Sequence, residues 1–211
     1  MTTMIADGTA VVGLLLAGGL GRRMGGVDKS LQVLGGRPLL AHAIERVRQQ
    51  VGVMLINANG EPQRFAAFGL PVVADGVGGF AGPLAGILAG LEWTRDNVPS
   101  CPWMVSVPTD APFVPGDLVA RLGAAVTEQD AEIGCAMSGG RTHPVFGLWP
   151  VRLADDLRRA LVEEDVRKID RWTARYRVAY AEWATVPVDP FFNVNRPDDL
   201  AAAERLAAVA I

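Results

Sequence analysis

The residues in this chain best suited to chemistry are those that bind and neutralise phosphate. The densest set lies in VVGLLLAGGLGRRMGGVDKSL, residues 11–31. Gly18, Gly19, Gly21, Gly25 and Gly26 share one short stretch with Arg22, Arg23, Asp28 and Lys29. Glycines let backbone N–H groups approach an anion closely, and the cations neutralise it. Two common phosphate loops are excluded. The dinucleotide fingerprint needs glycine at its sixth position, where counting from Gly19 and Gly21 gives Met24. A Walker A loop needs glycine directly before lysine and a hydroxyl residue, and here Val27 and Asp28 separate Gly26 from Lys29 and Ser30.

Other candidates stand at the ends of apolar runs. Asp110, between Pro108 and Pro112, can hold Mg²⁺ against nucleotide phosphates, because Mg²⁺ takes one or two protein carboxylates and completes its shell with phosphate oxygens and water. Its structural alternative is an N-cap for a helix after Pro112. Lys29 and Arg22 can neutralise charge on a transferring phosphoryl group and on a pyrophosphate leaving group, whereas Asp28 would orient Lys29. Asn57 and Asp75 can hydrogen-bond a base or ribose; Asx turns are the alternative. Gly78, Gly79 and Gly82 can bring backbone against a flat base. Asn193 and Asn195 fit either a ligand contact or a helix cap, the cap being Asn195 with Asp198 three residues on. His143 fits a phosphate contact or a strand position. The five tryptophans read as packing residues, and no Ser-His-Asp or Cys-His arrangement is expected.

Elements to position these residues follow from hydrophobic periodicity. Residues 11–16 are apolar without interruption, as in a strand buried on both faces of a parallel sheet. A helix is expected over 38–51, a strand over 53–57, a short helix over 61–68 and a strand over 71–74. A second glycine-rich stretch, residues 76–83, opens another helix. A strand over 103–107 and a helix over 115–126 follow. The alternation of strand and helix predicts an α/β three-layer sandwich, a mostly parallel twisted sheet with right-handed crossovers and helices on both faces. Ligands in such sheets sit at the carboxyl ends of the strands, where Asn57, Asp75, Asp110 and the first loop all fall. Beyond residue 131, strands over 132–137 and 143–149 flank a turn at Ser138–Arg141. Helices are expected over 151–162 and 167–176 and from Pro197 to the end.

The chain has 211 residues, half of them hydrophobic and 20% charged, an ordinary globular composition. One domain is expected, with residues 1–10 as a loose tail, 11–130 as the nucleotide half and 131–211 as the acceptor half. A net charge of −3 argues against a general nucleic-acid binder. Cys101 and Cys135 lack metal-type spacing and fit reduced thiols in the cytoplasm. No segment approaches the about 18 apolar residues of a membrane span, and the N-terminus lacks the features of a secretory signal.

Leu16 to Lys29, LAGGLGRRMGGVDK, resembles the signature loop of the molybdenum cofactor guanylyltransferases. The resemblance extends through Asn57-Ala58-Asn59, Asp75, Gly82–Gly86, Pro108–Pro112, His143-Pro144 and Asn193-Val194-Asn195, over most of the chain. It implies a Rossmann-like nucleotidyltransferase fold that transfers GMP from Mg·GTP to the terminal phosphate of molybdopterin and releases pyrophosphate. On that pattern Leu16, Ala17, Gly18, Lys29, Asn57, Asp75 and Asp110 bind GTP, and Asp110 also binds Mg²⁺; Gly19, Gly79 and Gly82 are expected beside them in the nucleotide site. Arg22 belongs with the phosphates, and Arg22, Lys29 and Asp110 form the catalytic set. Asn193, Asn195, Arg167 and Lys168 lie on the molybdopterin side. Proteins that deliver and receive the cofactor are the further partners implied. The sister cytidylyltransferases carry Ala-Ala-Gly where this chain has Ala17-Gly18-Gly19, and aspartates where it has Asn193 and Asn195; both differences favour guanine. Arg196 stands where the family has threonine. Two other readings are a sugar-1-phosphate nucleotidyltransferase, commonly a longer chain, and a non-catalytic nucleotide-binding regulator, against which Lys29 and Asp110 argue.

Overall fold

The computed structural model describes residues 10–17, 28–78 and 82–208. β1 (Val11–Leu16) is its central parallel strand. β4 (Val53–Asn57) pairs parallel on one side of it and β6 (Trp103–Pro108) on the other. In register, Leu16 lies level with Asn57 and with Pro108. Three strands therefore end in one row, and the residues that follow them start from the same edge of the sheet. β5 (Val72–Val73) continues the parallel set beyond β4, with Val73 level with Asn57.

The remaining strands extend the sheet past β6. The full order is β5-β4-β1-β6-β8-β7-β9, with β7 spanning Ile133–Ser138, β8 Arg141–Pro150 and β9 Val178–Trp183. β8 runs antiparallel to both β6 and β7, and every other pairing in this sheet is parallel. The reversal is local in origin. Gly139 and Gly140 have φ of 54° and 72°, which a two-residue hairpin turn of the favoured hand requires at both central positions. The Ser138–Arg141 turn is thus as expected.

Helices cover both faces. β1 is buried throughout, and its side chains alternate between two cores. Val11 and Leu15 join Leu40 and Val47 of α1 (Leu39–Arg48) and Leu118 and Leu122 of α3 (Leu118–Glu128). Val12, Leu14 and Leu16 join Leu84, Ile87 and Leu88 of α2 (Pro83–Asn97) and Leu157 of α4 (Ala154–Val162). Trp172, on α5 (Ile169–Thr173), lies in the second core with Trp149. Each fully buried aliphatic side chain stabilises this sandwich by about 1.5–3 kcal/mol. A third, smaller core joins Leu34 and Leu39 to Val194 and Ala203, the last on α6 (Pro197–Ala207). Leu34 belongs to β2 (Val33–Leu34), which pairs with β3 (Arg37–Pro38) as a separate hairpin.

Several boundaries differ from the sequence expectation. The helix expected over 115–126 starts at Leu118, because Pro115, Gly116 and Asp117 form a turn before it. The helix expected over 151–162 begins as a 3₁₀ turn, Val151–Leu153, and the one expected over 167–176 shortens to Ile169–Thr173. The short helix over 61–68 is a 3₁₀ helix, Pro62–Phe68. β9 and the β2–β3 hairpin have no counterpart in the expectation.

Candidate active site

Lys29 projects from a single 3₁₀ turn, Lys29–Leu31. Asp28 builds that turn: its Oδ1 accepts from the Ser30 backbone N–H at 3.0 Å and from the Ser30 hydroxyl at 2.6 Å. Its Oδ2 accepts from Arg64 Nε at 2.9 Å. Asp28 is therefore a cap and an ion-pair partner that fixes the start of the turn carrying Lys29.

Across the sheet edge, Asp110 follows β6. Thr109 ties the start of this loop to β1, donating to the Leu16 carbonyl from its N–H and its hydroxyl, each at 3.2 Å. The Asp110 carbonyl accepts from Val194 N–H at 2.8 Å. Lys29 Nζ stands 3.6 Å from Asp110 Oδ2 and donates to Asn195 Oδ1 at 2.7 Å. Burial raises the Asp110 carboxyl above the usual carboxylate range, and the neighbouring Lys29 ammonium partly offsets this. A carboxylate so placed gains from a cation.

A second cluster lies at the ends of β4 and β5. Asn57, 3% exposed, donates from Nδ2 to Asp75 Oδ1 at 2.9 Å. Asn59 grips the other side of Asp75: its Nδ2 donates to Asp75 Oδ2 at 2.8 Å and its Oδ1 accepts from the Asp75 N–H at 2.9 Å. Each carboxylate oxygen keeps lone-pair capacity beyond these bonds. Ala17 N–H donates to the Asn57 carbonyl at 2.9 Å, so β1 ends beside this cluster. The space comes from α2. A Cβ on Gly86 would stand 2.3 Å from Asn57 Oδ1, so only glycine admits the asparagine there.

The structure brings together Lys29, Asp110 and Asn195 at one pole, and Asn57 and Asp75 at the other, with Leu16 in register between their strands and Ala17 bonded to the Asn57 carbonyl. Gly18, Gly19, Arg22 and Gly79 lie outside the described residues. Gly82 starts α2. Arg167 belongs near that helix start, its carbonyl 3.9 Å from the place of a Gly82 Cβ and its Nε donating to Asp165 at 2.8 Å. Lys168 precedes α5 as its N-cap residue. Asn193 is exposed next to buried Val194.

Other readings are corrected. Asp110 does not cap a helix, since α3 starts only at Leu118. The acid that caps α6 is Asp199 rather than Asp198, and it receives the N–H groups of Asn195 and Arg196, each at 2.8 Å. Asn195 needs no side-chain role in that cap, so its amide is available to Lys29. His143 faces inward. Its Nε2 lies 2.8 Å from Ser138 Oγ, which donates to Asp189 Oδ1 at 2.9 Å, and its ring lies 4.7 Å from that of Phe191. Serine, histidine and aspartate do meet here, contrary to expectation. The hydroxyl donates to the carboxylate rather than to the imidazole, so this is a structural relay and not a nucleophile with its base.

Sequence reasoning missed two residues: Asn59, the second clamp on Asp75, and Arg64. The repeated asparagine in Asn57-Ala58-Asn59 was the available signal for Asn59, since alternate residues leaving a strand share one side. Arg64 carried no such signal.

Among the described residues no group of three or more His, Cys, Asp or Glu side chains could hold a metal. A lone half-buried carboxylate fits a hard divalent cation that takes most of its ligands from phosphate and water. It does not fit a resident structural metal.

A mostly parallel three-layer sheet, with a glycine-rich stretch of sequence after its central strand and a lysine–carboxylate pole at the same edge, defines an α/β nucleotidyltransferase. The chain belongs to the MobA-like NTP transferase domain family, whose pattern matches residues 13–181. A relative named molybdenum cofactor guanylyltransferase from Bradyrhizobium sp. (strain ORS 278) is 62% identical over 201 residues, 95% of each chain. One of the same name from Rhodopseudomonas palustris (strain BisB5) is 56% identical over 203 residues, 96% of this chain and 97% of its own. Among solved structures, molybdopterin-guanine dinucleotide biosynthesis protein A from Archaeoglobus fulgidus superposes with a TM-score of 0.71 at 24% identity. That match covers 94% of this chain and 99% of that one, and it shows the shared fold.

Proposed function

We propose that this enzyme is a molybdenum cofactor guanylyltransferase, transferring GMP from GTP to the terminal phosphate of molybdopterin. The observation that carries the reading is the meeting of Lys29 with Asp110 and Asn195, at the edge of a sheet whose relatives bear that name. In the reaction, an acceptor phosphate oxygen forms a bond to the α-phosphorus of GTP, and the bond from that phosphorus to the bridging oxygen breaks. The electron pair leaves with pyrophosphate. The acceptor is already an anion, so no general base is needed, and catalysis is alignment and charge neutralisation.

Asp110 would hold Mg²⁺, which supplies positive charge against the phosphates when bound. Lys29, with Arg22 from the first loop, neutralises charge on the transferred group and on the leaving pyrophosphate. Asn57 and Asp75 hold the guanosine end with backbone from Leu16, Ala17, Gly18, Gly19, Gly79 and Gly82. Asn195 and Asn193 face the acceptor, and Arg167 and Lys168 add positive charge along its path. The cytoplasm is the compartment proposed for this chemistry; among the described residues no helix is long and apolar enough to cross a membrane.

The test is pyrophosphate release by the purified protein with molybdopterin and either GTP or CTP, each with Mg²⁺. Release with GTP and formation of a guanine dinucleotide are expected. Turnover with CTP alone would move the enzyme to the cytidylyl class, and turnover with neither would overturn transferase activity on this acceptor.

A further inference from the structure

Arg64 joins the two poles of the site. Its Nε donates to Asp28 Oδ2 at 2.9 Å, its Nη2 to the Asn59 carbonyl at 2.7 Å and its Nη1 to the Glu61 carbonyl at 2.8 Å. Its guanidinium also covers the Phe65 ring at 4.5 Å, and Phe65 is fully buried in the core under β4. One planar group thus has fixed anchorage from below and bonds in two directions. On one side, Asp28 holds the turn that carries Lys29. On the other, the same residue whose carbonyl Arg64 holds, Asn59, clamps Asp75 through its side chain.

We propose that Arg64 is a positioning residue that sets the spacing between the phosphate pole at Lys29 and the guanosine pole at Asp75. The proposal rests on the assignment of Lys29 and Asp75 as nucleotide contacts. Three bonds radiating from one planar group need the fork geometry of arginine; a lysine ammonium is a point charge on a flexible stem. The advantage is preorganisation. A ligand that spans both poles gains affinity when their separation is already fixed, and a ligand that touches one pole gains nothing from it.

That difference gives the test. Calorimetry would measure Mg·GTP, guanosine alone and magnesium tripolyphosphate alone on the wild-type chain, Arg64→Ala and Arg64→Lys, with melting temperatures to confirm folding. The expected result for Arg64→Ala is GTP binding weakened about tenfold, with each fragment within about twofold of wild type. Arg64→Lys is expected to keep most of the GTP loss. Unchanged GTP affinity in Arg64→Ala overturns the proposal. Equal weakening of GTP and both fragments overturns it as well, because that marks a general structural role. Full recovery by Arg64→Lys does the same, because charge alone would then suffice. If the wild-type chain bound no GTP, the assignment of Lys29 and Asp75 would fall, and this proposal with it.

Discussion

Lys29 Nζ donates to Asn195 Oδ1 at 2.7 Å across 166 residues of sequence. The bond connects the 3₁₀ turn Lys29–Leu31 to the segment that leads into α6, and the same ammonium faces Asp110 at 3.6 Å. A lysine between a carboxylate and an amide, about a quarter exposed, adds about 1 kcal/mol or less to stability. The proposed reading gives it a role in binding charge instead. Lys29→Ala is expected to lower kcat about 100- to 1,000-fold, as loss of a transition-state donor does, with little change in melting temperature. Asn195→Ala should act mainly on the KM for the acceptor. Steady-state kinetics with GTP and molybdopterin varied in turn would separate the two, and near-normal kcat in Lys29→Ala would count against the mechanism.

Asp110 is held at a cost. Burial raises its carboxyl above the usual carboxylate range despite Lys29. At neutral pH the ionised form is thus disfavoured in the folded state relative to the unfolded one, which is a penalty the substitution removes. Asp110→Ala should abolish transfer and leave the melting temperature equal to or above wild type, a trade of stability for function. A melting temperature several degrees lower would show that Asp110 serves the fold instead.

Two glycines of α2 offer a matched pair. Alanine normally favours a helix interior by about 1 kcal/mol over glycine. Here a Cβ on Gly86 would stand 2.3 Å from Asn57 Oδ1, and a Cβ on Gly90 would stand 2.7 Å from Leu14 Cδ2 and from Met104 Sδ. Both alanine variants should destabilise by about 1–3 kcal/mol, as overpacking does. Only Gly86→Ala should also raise the KM for GTP, because only it displaces Asn57. Equal KM values for the two variants would remove Asn57 from the nucleotide site.

The central sheet was legible because buried parallel strands read as apolar runs: residues 11–16 and 53–56 carry no polar side chain, and 103–107 carries only Ser106. β9 was not, because Ala179 and Ala181 fill most of its buried face and alanine alternation carries almost no hydrophobic signal. The places of Asn57, Asp75 and Asp110 at or just after strand ends were legible too. That Asn195 meets Lys29 was not, since the cap and ligand readings differ only in whether Asp198 or Asp199 takes the N–H groups. Arg64 was invisible for a different reason. Its partners Asp28 and Asn59 are separated in sequence by β2, β3, α1 and β4, and no spacing rule links an arginine in a short 3₁₀ helix to either.

The Ser138–His143–Asp189 relay predicts a pH dependence. Burial lowers the His143 pKa below its ordinary value and the Arg141 guanidinium lowers it further, while Asp189 opposes them. The neutral imidazole is then favoured in the folded state. Its contribution is fully present above the unfolded value of about 6.5 and is lost as pH falls through the lower folded value. Since Ser138 donates to Asp189, the imidazole must donate from Nε2, a role a glutamine amide can imitate. Melting curves from pH 7.5 down to 5 should show a steeper loss for wild type than for His143→Gln. Parallel curves would mean that the relay does not sense protons.

β9 is one edge of the large sheet, β5 being the other, and an unpaired edge invites another chain to add to it. The outward backbone groups at its middle are already occupied. Gln129 donates from Nε2 to the Tyr180 carbonyl at 3.1 Å and accepts the Tyr180 N–H on Oε1 at 3.2 Å. The amide thereby imitates a neighbouring strand at that residue, and Arg121 donates to the Glu182 carbonyl farther along. Both side chains sit on or next to α3, so the helix shields the edge without covering it. Gln129→Ala would free one donor and one acceptor beside exposed Tyr180. The expected outcome is concentration-dependent association by analytical ultracentrifugation, with turnover unchanged because the edge lies three strands beyond β6. Identical sedimentation of the variant and wild type over a hundredfold range of concentration would show that Gln129 is not what keeps this edge unpaired.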